Sequence, residues 1–140
     1  MFVNQIAVFL ENSKGRLKEC ASVISSAGVD VVSMSIADTK DFGILRAITR
    51  DNEKAMKALK NAGFIVSSND LIGVIVEDRP GGLTQVLELL DEAGIGIEYM
   101  YSFANIDAQN AIILLKVDDE SLAIKILKQK GAKLVENKII

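Results

Sequence analysis

Two short segments hold the residue types that could do chemistry. Asp78-Arg79-Pro80-Gly81-Gly82-Leu83 follows an apolar, β-branched run, and Asn12-Ser13-Lys14-Gly15-Arg16-Leu17 follows another. Both stand where a strand gives way to a helix. Glycines there leave backbone amides uncovered, and a helix N-terminus carries partial positive charge, so the chemistry on offer is capture of a carboxylate or phosphate. Pro80 suits the first helical turn, where its missing N–H costs nothing. Asn12 or Ser13 offers an N-cap to the first helix, and Asp78 one to the other, with the glycines relaxing a tight turn. The same residues thus fit a ligand loop or a plain helix start.

Other chemistries lack their residues. The chain has no His, so imidazole is not available as base, nucleophile or metal ligand. Its single cysteine, Cys20, rules out an internal disulfide and a Cys-cluster metal site. Cys20 shares a helical stripe with Leu17, Ala21 and Ile24, the setting of a buried core thiol. No pattern calls for a metal or a cofactor. The 16 basic and 19 acidic residues are interleaved and leave a charge of −3, which argues against nucleic acid or an anionic membrane as partner. Apolar runs are strand-sized, far below the ~20 residues that span a bilayer. The N-terminal MFVNQIAVFLENSKG lacks a basic n-region and a cleavage site, so the expected location is cytoplasmic.

The elements that must position the two loops come from an internal repeat. Residues 6–35 align without a gap on residues 72–101, placing Gly15 on Gly81, Leu17 on Leu83, Gly28 on Gly94 and Met34 on Met100. With two residues inserted in the second copy, Ala55 falls on Ala123, Leu59 on Leu127 and Gly63 on Gly131. Each copy reads as strand, helix, strand, strand, helix, strand. In copy one these are 3–10, a helix to about Ala27 stopped by Gly28, 29–36 and 42–49 around the turn Asp38-Thr39-Lys40-Asp41, a helix capped by Asp51 and ended by Gly63, and a short strand 64–67. In copy two they are 71–77, 80–93, 95–103, 109–117, 119–130 and 132–138. The expected fold is α+β: two ferredoxin-like βαββαβ domains, 1–69 and 70–140, with antiparallel sheets and both helices on one face. Asn69 and Asp70 mark the boundary. Copies this small bury little core, so pairing of copies and a homodimer are expected, with second strands joined side by side within a chain or across two.

The order strand, D-R-P-G-x-L, helix, A-G-I-x-I resembles the ACT-domain signature. Copy two carries it as EDRPGGL (77–83) and AGIGIEYMY (93–101); copy one carries ENSKGRL (11–17) and AGVDVVSMS (27–35), with Lys14 in place of the proline. With the duplication the resemblance covers essentially the whole chain. It implies a stand-alone tandem ACT module, not an enzyme, that senses a free L-amino acid and modulates a separate metabolic enzyme or regulator. It further implies an effector held between domains by the first loop of one and the second strand of a neighbour. Carried over by residue, the loop positions are Asn12, Ser13 and Gly15 in copy one, and Asp78, Arg79, Pro80 and Gly81 in copy two. Asp30 stands two residues after a helix-ending glycine, where family members with polar effectors place a polar side chain; Gly96 is its counterpart, so the two sites should differ. Ser33, Met34, Ser35, Tyr99, Met100 and Tyr101 would face the effector's side chain, though the Tyr and Met residues equally fit ordinary core or domain-interface packing.

An alternative of another class is a ferredoxin-like enzyme of acylphosphatase type, with Arg16 or Arg79 gripping a phosphate. Its loop pattern differs, however, and the neighbouring-strand Asn it needs has no clear counterpart. No positioned acid, base or nucleophile accompanies the loop either. RNA binders of this topology need strand aromatics that VNQIAVFL and FGILRAITR lack, and metal carriers need a Cys-x-x-Cys loop that is absent.

Overall fold

The computed structural model describes residues 2–38, 41–103 and 108–136. The chain divides into two compact units, Asn4–Asn69 and Asp70–Ile140 with Met1–Val3. Each is a ferredoxin-like βαββαβ unit.

In the first unit the elements are β1 (Phe2–Glu11), α1 (Arg16–Ser26), β2 (Val31–Asp38), β3 (Phe42–Thr49), α2 (Asn52–Asn61) and the start of β4 (Ile65–Glu77). The strand order is β2-β3-β1-β4. β3 runs antiparallel to both neighbours, with Leu45 opposite Val8 on one side and Ile36 on the other. Alternation along β1 sends Ile6, Val8 and Leu10 into the core and Phe9 to the opposite face. The helices α1 and α2 pack together and close that core with Cys20, Ile24, Ala55 and Leu59. Buried Gln5 donates to Asn69 Oδ1 at 3.0 Å, so its amide is not stranded.

The second unit repeats the plan with β4, α3 (Gly82–Glu92), β5 (Ile97–Phe103), β6 (Asn110–Val117), α4 (Glu120–Gln129) and β7 (Lys133–Leu134), in the order β5-β6-β4-β7. Its core gathers Ile72, Val74, Val76, Val86, Leu90, Leu115, Ala123 and Leu127. Residues 137 and 138 of the expected last strand, and Thr39 and Lys40 of the expected turn, lie outside the described residues. The expected stops hold: Gly28, Gly63, Gly94 and Gly131 all have positive φ just past a helix. The Asp51 side chain caps α2 by accepting from the Lys54 N–H at 3.0 Å.

Two expectations need correction. The short strand 64–67 does not end before the next begins: β4 runs unbroken for 13 residues through Ser67, Ser68, Asn69 and Asp70. Those residues are polar, but none is Gly or Pro, so nothing stops the strand. The helix starts also differ. Asn12 and Ser13 do not cap α1, and Asp78 does not cap α3; the cap residues are Gly15 (φ 87°) and Gly81 (φ 89°), with no side-chain cap bond in either. Pro80 lies before the helix, not in its first turn. The Gly82 N–H donates to the Arg79 carbonyl at 3.0 Å, and Gly81 has φ 89° and ψ −12°. Residues 79–82 therefore form a type II turn, which favours Pro at its second position and requires positive φ at its third. Ser13-Lys14-Gly15-Arg16 makes the same turn more loosely, with Arg16 N–H to Ser13 O at 3.4 Å.

Candidate functional site

Each unit has a cleft beside its first loop, and the two are built from corresponding positions. In copy one a cleft of about 240 Å³ is lined by Leu10, Glu11, Asn12, Ser13, Arg16, Leu17, Ile36 and Gly43. In copy two a cleft of about 270 Å³ is lined by Val76, Glu77, Asp78, Arg79, Leu83, Ser102, Ala111 and Ile113. Under the repeat alignment Leu10 answers to Val76, Glu11 to Glu77, Asn12 to Asp78, Ser13 to Arg79, Leu17 to Leu83, Ile36 to Ser102 and Gly43 to Ala111.

The chain path explains this gathering. β1 rises to the loop, α1 returns, and β2 rises again, so the end of β2 arrives beside the loop. One backbone bond ties each loop to the residue just before the third strand of its copy, β3 or β6: Asn12 N–H to Asp41 O at 3.1 Å, and Asp78 N–H to Gln109 O at 2.8 Å. The first bond closing each helix is made by Glu19 or Gln85, to the carbonyls of Gly15 and Gly81. The amides of Leu17 and Lys18, and of Leu83 and Thr84, thus stand at the positive end of a helix with no acceptor one turn earlier within it.

Charge separates the clefts. Glu77 and Arg79 form an ion pair, and the Arg79 hydrogen bond holds the Glu77 carboxyl below its ordinary range. Arg79 is thereby engaged, and Asp78 adds a further carboxylate to that lining. In copy one the cation is Arg16. Its guanidinium lies over the Phe64 ring, 4.4 Å from the centroid, and its Nη1 donates to Glu19 Oε2 at 2.6 Å. Gly82 holds the corresponding place in copy two, where an added Cβ would meet the Glu77 carbonyl oxygen at 2.1 Å.

Of the residues expected at the site, Asn12 and Ser13 line one cleft, and Asp78 and Arg79 line the other. Gly15, Pro80 and Gly81 shape the turns behind them. Asp30 is not brought to its own copy's loop: it lies at the start of β2, past the far end of α1, where its carbonyl accepts from the Arg50 N–H at 2.9 Å. At the matching place in copy two, Asp118 Oδ1 accepts from the Gly96 N–H at 3.0 Å, so Asp118 supplies a carboxylate there. Met34 is 42% exposed and lies two residues before the cleft residue Ile36, whereas Met100 packs against the second core. Sequence reasoning placed no weight on Ile36, Gly43 or Ser102. The signal for them was the reversal of direction through α1, which brings the end of β2, and not its start, to the loop. Among the described residues no group of His, Cys, Asp and Glu is placed to hold a metal, and no helix is long and apolar enough to cross a membrane.

A duplicated ferredoxin-like unit with a glycine-turned loop and a cleft in each copy defines a tandem α+β module. The chain belongs to the ACT domain pair family, whose model matches residues 1–140. Such pairs are typically regulatory and ligand-binding. Among solved structures, protein BT0572 from Bacteroides thetaiotaomicron is 39% identical, covers 96% of this chain and 92% of its own, and superposes with a TM-score of 0.89. The ligand-free regulatory subunit of aspartate kinase from Thermus thermophilus shares the fold at 11% identity, with coverage of 91% and 92% and a TM-score of 0.63. The Thermus flavus regulatory subunit does so at 13% identity, 90% of each chain and a TM-score of 0.61. No curated protein matches the chain.

Proposed function

We propose that this chain is a regulatory module of two ACT domains, 1–69 and 70–140, that binds a free L-amino acid and modulates a separate enzyme or regulator without catalysing a reaction. The observation that carries this reading is the recurrence of one cleft, at corresponding positions, beside a helix N-terminus in each copy. Both clefts are smaller than the roughly 300–1,000 Å³ that suits drug-sized ligands, as a small metabolite requires. The effector's α-carboxylate meets the amides of Leu17 and Lys18, or of Leu83 and Thr84. Its α-ammonium meets Asn12 or Asp78, and its side chain extends toward Ile36 or Ser102.

In this reading Asp30 and Met34 reach the effector from a second chain, whereas Met100, packed on its own core, supports the strand from behind. β2 and β5 each have one strand neighbour among the described residues, β3 and β6, and an open strand edge invites pairing. Phe9 and Phe42 stack at 4.9 Å on the face of the first sheet away from its helices, and both remain over a third exposed. A cytoplasmic homodimer joined through second strands accommodates these features. The test pairs Gly81→Val with Gly15→Val, which force a β-branched residue into positive φ at one loop each. Calorimetric titration with amino acids should show one site lost per variant while circular dichroism stays native. Unchanged stoichiometry in both variants, with the fold intact, would overturn the placement. A strict monomer on sedimentation at high concentration would overturn the dimer.

A further inference from the structure

The two clefts differ in chemistry at the first helical position, Arg16 in copy one and Gly82 in copy two. We propose that the copy-one cleft selects an amino acid with a side-chain carboxylate, received by the Arg16 guanidinium, and that the copy-two cleft does not. This rests on the amino-acid-binding reading above and names the ligand class of one of its sites. Arg16 lines the cleft and is positioned by the Phe64 ring beneath it. Its bond to Glu19 is an exposed i,i+3 pair, which is weak and easily exchanged. Its Nε is buried and has no hydrogen-bond partner. A planar fork with five donors is therefore left incompletely answered at rest. Turning that fork toward the cleft gives Nε and a neighbouring Nη a carboxylate to share, a bidentate bond that a neutral amide cannot match. Copy two is the more negative: Glu77 and Asp78 line its cleft against the single carboxylate Glu11 in copy one, Arg79 is paired to Glu77, and Gly82 contributes no side chain. A second carboxylate entering there meets like charge.

The test is calorimetric titration of the full chain with L-glutamate and L-aspartate beside their neutral counterparts L-glutamine and L-asparagine. The expected result is that one of the acids binds a single site per chain about tenfold or more tighter than its amide. In Arg16→Gln, acid and amide should bind alike. In Glu19→Gln, which frees the guanidinium, the preference for the acid should rise. Should Arg16→Gln fail to fold, Arg16→Lys keeps the charge without the fork and should retain only part of the preference. Equal binding of acid and amide by the wild type, or an acid preference that survives in Arg16→Gln, overturns the proposal while leaving amino-acid binding in place. Binding of none of the four, nor of any other amino acid, overturns the underlying reading as well.

Discussion

Replacing Gly82 by Ala sets two well-understood effects against each other. Gly82 is the first residue of α3 and buried, and its φ lies outside the positive region. On helix propensity alone, Gly to Ala should stabilise by up to about 1 kcal/mol. The geometry predicts the opposite sign. The new Cβ would sit 2.1 Å from the Glu77 carbonyl oxygen and 3.2 Å from its carbon. Both are backbone atoms at the end of β4, so no flexible side chain can yield. Restoring an ordinary contact requires the strand end and helix start to separate by on the order of 1 Å. Overpacking of this kind costs about 1–3 kcal/mol, giving a net loss of about 1–2 kcal/mol and a fall in Tm of roughly 3–8 °C. Gly81→Ala should lose a comparable amount for another reason: space is open there, but φ is 89°. That loss should shrink in Gly81→Asn, since Asn tolerates positive φ. Thermal melts followed by circular dichroism suffice. A Gly82→Ala protein that melts at or above the wild-type temperature would refute the close approach of α3 to β4.

Further outcomes follow from two titrating groups. Cys20 is fully buried, and burial raises its thiol from 9.0 to about 11, with Arg16 pulling the other way. Native protein at pH 8 should therefore resist iodoacetamide, and modification should appear only with denaturant; rapid labelling of the native fold would contradict the burial. Because the folded value is the higher one, this contribution to stability is complete below about pH 9 and is lost as pH rises through about 11. Glu77 has the reverse sign: its hydrogen bond to Arg79 lowers the folded value, so its contribution is present above the ordinary carboxylate value and lost as pH falls through the depressed one. Carboxyl chemical shifts should place Glu77 below the other glutamates in the wild type and among them in Arg79→Ala.

The repeat made most of the architecture legible. Glycines recurring at fixed offsets past helix ends, and apolar alternation between them, define two βαββαβ units without further information. What escaped were features decided by backbone pairing. Ser68 to Asp70 look like a linker by composition, but a strand whose bonds run through its backbone tolerates polar side chains, and β4 continues through them. Pro80-Gly81 carries both a helix-start signal and a turn signal; the turn prevails because Gly82 must donate to Arg79 before the helix begins. The clefts were half legible. Asn12, Ser13, Asp78 and Arg79 stand out by their place before a helix, whereas Ile36, Ser102 and the role of Arg16 depend on which end of β2 or β5 meets the loop. Asp30 fits the family pattern in one dimension yet lies past the other end of α1, so only a neighbouring copy can bring it to an effector.

The central claim, that this ACT pair binds a free amino acid, is tested most directly by a thermal-shift panel of the twenty amino acids on the purified chain. A metabolite sensor working near cellular concentrations should have a Kd of roughly 10 μM to 1 mM. Ligand at ~100 times Kd then stabilises the fold by about 2.7 kcal/mol, a rise in Tm on the order of 5–10 °C for a chain of this length. At least one amino acid should produce that rise; if none shifts Tm at about 100 mM, ~100 times the weakest Kd expected, the chain is not an amino-acid sensor.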